Sequence, residues 1–263
     1  MTCLRPGLPS PNFDGKLLPA RVAREDLSRA DGNGLRCEEE TEMTNAIITL
    51  WRRGFLRALN RGGDVQIDDQ ALRIRAAQLA ARRGFSGGGA QTAFNEALAT
   101  GLHAAAELLE EAGLDRRAAR DRAGAAFLQS GKGLAHWLTR AWLWTASDPV
   151  GQAQDGDRLS ARARLIWGAG MRFHQENGPD HATLKVTECA FADYFWDAGR
   201  SDLTPILCAW DAQWIEIVNA SDRPVSVSRS GTLAQGCDVC DFCLRRVPAE
   251  QMALPAWHPH SAR

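Results

Sequence analysis

Five of the chain's seven cysteines fall in its last third, each beside an acid, an aromatic ring or a tight turn. Glu188-Cys189-Ala190-Phe191 comes first, then Leu207-Cys208-Ala209-Trp210-Asp211, then the run from Arg229 through Gly236-Cys237-Asp238-Val239-Cys240-Asp241-Phe242-Cys243. A thiol is a useful nucleophile once a neighbouring positive charge or base lowers its pKa. A carboxylate such as Asp211 or Asp241 can activate water or carry a proton to a leaving group. Arg229, Thr232 and Gly236 offer a guanidinium, a hydroxyl and a backbone N–H to a substrate carboxylate. Trp210 and Trp214 flank Cys208 and can wall a pocket for a small planar ring. The same cysteines can also be buried and inert, since free Cys is among the most buried residue types.

Two other chemistries are open to these thiols. The spacing Cys237-x-x-Cys240-x-x-Cys243 invites a zinc knuckle, but no second Cys-x-x-Cys or His-x3-His pair follows, only His258 and His260. On a strand, Cys237 and Cys243 face one way and Cys240 the other, so the three cannot grip one ion. The metal alternative is therefore zinc held by Cys189, Cys208 and Cys240 with a His or Asp completing the set. A third reading is a non-catalytic interaction protein whose Cys-x-x-Cys pair senses oxidants.

The order Cys189, then Cys208-x-x-Asp211, then a Gly-rich turn into Cys240-Asp241-Phe242 resembles the L-2-amino-thiazoline-4-carboxylic acid hydrolase family. The resemblance runs from about residue 160 to 246 and only diffusely covers the helical part before it. It implies a hydrolase that opens a small cyclic amidine or thiazoline-like ring without an organic cofactor. Cys240 would be its nucleophile, Asp241 or Asp211 its proton carrier and Cys208 a supporting thiol. Arg229, Thr232, Gly236 and Trp210 would contact substrate. Cys237 and Cys243 are additions to the family pattern and read as structural.

Other candidates fade. Ser130-Gly131-Lys132-Gly133 has Ala126 where a P-loop needs its first glycine, and Gly133 where it needs Ser or Thr. The glycines at 87–89 lack a preceding strand and read as a loop. His103 and His136 fall in helical segments; His174 and His181 flank a hairpin turn and are weaker candidates for a base. Thirty-one basic against 32 acidic residues leave a net charge of −1, which gives no global field for nucleic acid or anionic membrane. The expected partner is a small-molecule substrate. No run approaches about 18 apolar residues and no secretory signal opens the chain, so the expected compartment is the cytoplasm.

The elements that must position these residues fall into two regions, and the expected fold class is α+β, a helical half followed by a small antiparallel sheet with helices. Residues 1–42 hold four prolines and an acidic run and read as a mobile arm, with Met43 an alternative start. Residues 43–148 read as five helices, with Asp68 capping the second and Trp137, Trp142 and Trp144 packing the core. A linker is expected over 148–157. The α+β region, 157–247, is expected to hold strands near 171–175 and 183–187 across an Asn177-Gly178-Pro179-Asp180 turn, and helices near 191–198 and around Cys208. Paired strands are expected at 224–229 and 238–246, and residues 248–263 form a tail.

Overall fold

The computed structural model describes residues 33–248 other than 86, 87 and 169. The helical half begins with α1 (Asn33–Leu59), followed by α2 (Asp69–Arg82), α3 (Ala90–Glu111), α4 (Arg116–Gln129) and α5 (Lys132–Thr145). Asp68 and Asp115 cap α2 and α4 by accepting N–H groups of the first turn, which those ends would otherwise leave unpaired. Helix α3 lies at the centre. Leu98, Ala99, Leu102, Ala104, Ala105, Ala106 and Leu109 are all fully buried, and the run of alanines lets neighbouring helices approach closely. Phe55 and Phe127 meet edge-to-face within this core, and Trp51 stacks on Phe55.

Beyond it come α6 (Pro149–Gln154), α7 (Arg158–Trp167), β1 (Met171–Asn177), β2 (His181–Cys189), α8 (Ala190–Asp197), α9 (Thr204–Asp211), α10 (Gln213–Asn219), β3 (Val225–Ser228) and β4 (Cys240–Arg246). The strands form one antiparallel sheet in the order β1-β2-β4-β3. The fold is thus α+β. Register places Phe173 opposite Val186, Val186 opposite Cys240, and Leu184 opposite Phe242. Side chains alternate along a strand, so these five share one face, and that face looks into the protein.

Several expectations change. Helix α1 starts at Asn33, so the acidic run Glu38-Glu39-Glu40 lies within a helix that Met43 continues. Of the expected arm, residues 1–32 lie outside the described residues, as do 249–263 of the tail. The expected linker folds: Asp148 caps α6, and Val150 and Ala153 are buried against the sheet side with Ala182 and Leu244. Trp137 and Trp144 are exposed, because α5 packs through Leu143 and Trp142 instead. Helices α8 and α9 send Phe195 and Leu207 into the core of the helical half. The two regions therefore pack as neighbours through a shared apolar layer.

Candidate active site

Cys189 ends β2 and stands at the N-terminus of α8. Cys208 and Asp211 lie three residues apart on α9, a spacing that puts both on one face of the helix. Cys240 opens β4 on its inward face. These elements bring Cys189, Cys208, Asp211 and Cys240 together with Arg229 around one cavity of about 110 Å³. Trp167, Phe191, Trp210, Trp214 and Phe242 supply half of the remaining lining residues. An engineered apolar cavity of about 150 Å³ takes benzene, so this space suits a single small ring.

The walls are held firmly. The Trp210 indole N–H donates to Ser130 O at 3.0 Å, and Trp214 stacks on Phe242 with centroids 6.1 Å apart. Arg229 donates from Nη1 to Cys208 O at 3.0 Å and lies 5.6 Å from the centre of the Phe242 ring. One guanidinium thus links two of the three cysteine-bearing elements, α9 and β4, and keeps donors to spare, since Arg carries five N–H groups.

Asp241 is the main departure from the expected site. On β4 it points opposite to Cys240 and Phe242, pairs with Lys185 across the sheet, and does not line the cavity. Its Oδ1 accepts the N–H groups of Ser230 (2.9 Å) and Gly231 (3.1 Å), and its Oδ2 accepts the Ser230 hydroxyl (2.6 Å). Burial raises its pKa, but these hydrogen bonds outweigh that and hold it below the usual aspartate value. Asp241 therefore fixes the turn that carries Arg229. Thr232 and Gly236 also shape that turn and do not line the cavity. Thr232 is buried and donates to Gln235 Oε1 at 3.1 Å; Gly236 closes a 3-10 turn (Leu233–Gln235) at φ +81°, where a side chain would be strained.

Charge in the cavity is set by burial. Burial pushes the Cys208 thiol up to about 12, with Cys240 and Asp211 adding to the rise and Arg229 opposing it. Cys189 is likewise pushed up to about 12 by burial, against the N–H groups of Ala192 and Phe191. Cys240 is raised by burial too, but the Leu233 N–H, 3.1 Å from its Sγ, and Arg229 both pull it back. Asp211 is pushed up to about 6 by burial, with Arg229 opposing. It is enclosed by protein, and the surface it keeps faces the spaces it lines. The result is a carboxyl that exchanges protons near neutral pH beside three protonated thiols.

Cys237 lies before β4, is disulfide-bonded, and is not paired with Cys240, which is free. Cys243 is free and faces away from Cys240. Among the described residues no three His, Cys, Asp or Glu side chains stand at metal-ligand spacing, although Cys189, Cys208 and Cys240 share the cavity. His103 bonds Tyr194 and Glu107 inside the helical core, and His181 pairs with Asp180 at the surface. His174 is exposed on β1 beside Phe173. Trp167, Phe173, Leu184 and Val186 are wall residues that the motifs did not indicate. The signal for Trp167 was present, since Leu159, Ala163, Ile166 and Trp167 recur at helical period.

The family profile described as L-2-amino-thiazoline-4-carboxylic acid hydrolase matches residues 95–244, more than half of the chain and every wall of this cavity. The chain belongs to this family. Its place there makes it a hydrolase at the coarse level that the family's description gives. No curated protein gives a match. Among solved structures, a mutant of an Fe(II) unliganded H-NOX protein from K. algicida aligns at 9% identity over 76% of this chain and 96% of its own, with a TM-score of 0.33. An H-NOX protein from S. oneidensis in the Fe(II)NO state aligns at 10% identity over 81% and 97%, with a TM-score of 0.31. Likeness at that level carries no argument about this hydrolase-family chain. Among its described residues no helix is long and apolar enough to cross a membrane.

Proposed function

We propose that this protein hydrolyses a small cyclic amidine of the thiazoline kind that also bears a carboxylate. The observation that carries the reading is the pairing of one carboxyl, Asp211, with one guanidinium, Arg229, as the charged groups of a ring-sized, aromatic-walled cavity. A zwitterion of an amidinium and a carboxylate complements that pair, the amidinium facing Asp211 and the carboxylate facing Arg229.

Cys240 attacks the electrophilic amidine carbon as Asp211 takes the thiol proton. The bound amidinium brings a positive charge beside the thiol and lowers its pKa in the complex, as the Leu233 N–H already does. The tetrahedral adduct collapses by breaking the bond from that carbon to the ring heteroatom, which receives the proton from Asp211. Water then attacks the thio-linked intermediate, Asp211 again accepts the proton, and Cys240 leaves as a thiol. The net change is addition of one water. A second reading, direct attack by water with Asp211 as base, is favoured by the burial that keeps the resting thiols protonated. Neither scheme uses an organic cofactor.

The test is a ring-opening screen of carboxylated cyclic amidines on the purified full chain, with mass spectrometry of enzyme quenched during turnover. A mass adduct on Cys240 supports the thiol route, and turnover retained in Cys240→Ser supports the water route. Turnover with neither Asp211→Asn nor Cys240→Ser impaired sinks both. Stoichiometric zinc, with equal loss in Cys189→Ser, Cys208→Ser and Cys240→Ser, would favour the metal alternative.

A further inference from the structure

Beside the ring-sized cavity lies a second, larger space of about 520 Å³. Its lining is mainly apolar, with Leu138 and Trp142 from α5, Leu159, Ala163 and Ile166 from α7, and Leu244 from β4, while Thr139 and the exposed Arg162 add polar groups. Trp167, Leu184, Trp210, Asp211 and Trp214 belong to both linings, so the two spaces adjoin along these side chains. Leu138 is 52% exposed and Ile166 61% exposed, which opens the groove to solvent at its outer edge. Large apolar side chains left uncovered in a concavity next to a reactive site mark a ligand-binding surface more often than a scattered exposed residue does.

We infer that the natural substrate is larger than a bare amino-thiazoline ring, and carries an apolar alkyl or aryl substituent that occupies this groove. The inference rests on the ring-opening reading of the cavity. Asp211 is the hinge of the argument. As a lining residue of both spaces, it touches the amidinium in one and the start of the substituent in the other. The charged groups of the cavity fix the head of the ligand and fill a space too small for more than the ring. The groove offers burial for a tail and little polar anchorage, because its inner wall is aromatic and aliphatic. Asn95, 2% exposed on the same wall, donates to Trp167 O at 2.8 Å and has no partner for its Oδ1 among the described residues. That acceptor suits an amide N–H or a hydroxyl within the substituent.

The experiment uses the full chain and a series of thiazoline-4-carboxylates whose 2-amino group carries n-alkyl chains of increasing length. Binding is followed by calorimetry and by quenching of tryptophan fluorescence, and turnover is measured in parallel. Burying each added methylene is expected to lower Kd about four-fold until the groove is filled. Ile166→Asp and Leu138→Asp, both at exposed positions outside the cavity, should abolish that gain while leaving the unsubstituted ring's kcat/KM unchanged. A Kd that is flat with chain length in an enzyme that opens the ring overturns the inference and leaves the ring-opening reading standing. The same is true if both Asp variants keep the full four-fold gain. A steep chain-length dependence without ring opening in any member supports the groove and strikes at the reaction. No binding by any member overturns both.

Discussion

Replacing Asp211 with Asn is expected to stabilise the protein and inactivate it at once. The carboxyl titrates at about 6 in the folded chain, against 3.8 for an unperturbed aspartate, because burial disfavours its charge more than Arg229 favours it. At 1.36 kcal/mol per pH unit, that difference amounts to about 3 kcal/mol. The folded state holds this proton more tightly than the unfolded chain does. Stability from this group is therefore complete below pH 3.8, falls as pH rises to about 6, and stays at its lower level above that. Part of the carboxyl's surface faces a cavity that water can enter, which makes about 3 kcal/mol a ceiling and about 1–3 kcal/mol the expected gain of Asp211→Asn at pH 8. In a chain of this length that is a rise of several degrees in thermal midpoint. Urea unfolding of wild type and variant from pH 3.5 to 8 measures it. The difference should be near zero at the acid end and grow through pH 6, while turnover is lost throughout. A difference independent of pH, or a variant less stable than wild type at pH 8, would refute the argument that an expensive buried charge is kept here for chemistry.

The kcat/KM of the wild type should rise with pH through about 6 as Asp211 becomes the base, and a profile flat from pH 5 to 7.5 would count against that role. Cys240→Ser should lose turnover with its fold intact, whereas Cys243→Ser, on the opposite face of β4, should change stability by no more than about 0.5 kcal/mol and leave turnover alone. Arg229→Met should raise KM for a carboxylated ring about 10–100-fold, the worth of hydrogen bonds to a charged group, and should not affect a carboxamide analogue. Asp241→Ala should cost about 1–3 kcal/mol of stability and raise KM by loosening the Arg229 turn while sparing kcat. Because the Asp241 pKa is depressed, its contribution is present above pH 3.8 and is lost as pH falls through the folded value.

The helical half was legible because its signals are local. Asp68, the Gly84 and Gly113 breaks and the 3.6-residue apolar period each act within a turn or two of chain, and the helices follow them. The segment from 148 to 157 reads as a linker because its glycines, Pro149 and acids resemble loop chemistry at short range. Pro149 sits in the first turn of α6, where it removes no needed hydrogen bond, and Val150 and Ala153 earn their burial only once the sheet arrives. Tertiary packing, absent from the sequence pattern, decides that stretch.

The site shows the same division more sharply. Cys-Asp-Phe names three adjacent residues, and adjacency in sequence invites the inference that a thiol and an acid so close work together. A strand separates neighbours instead. Cys240 and Phe242 turn into the cavity, and Asp241 turns to the outer face, where its three hydrogen bonds hold Ser230 and Gly231. The acid that does reach the thiols is Asp211, far away along the chain, and it does so because a helix, unlike a strand, puts residues three apart on one side. Sequence spacing thus decides partnership only after the period of the element is known. Read with period two for β4 and 3.6 for α9, the same motif residues divide into a pair that lines the cavity, Cys240 with Asp211, and an acid outside it, Asp241, that holds the turn carrying Arg229. The two acids fail differently under mutation. Loss of Asp241 should show in KM and stability, and loss of Asp211 in kcat with stability gained, so one set of urea melts and one set of rate measurements on the two variants separates them.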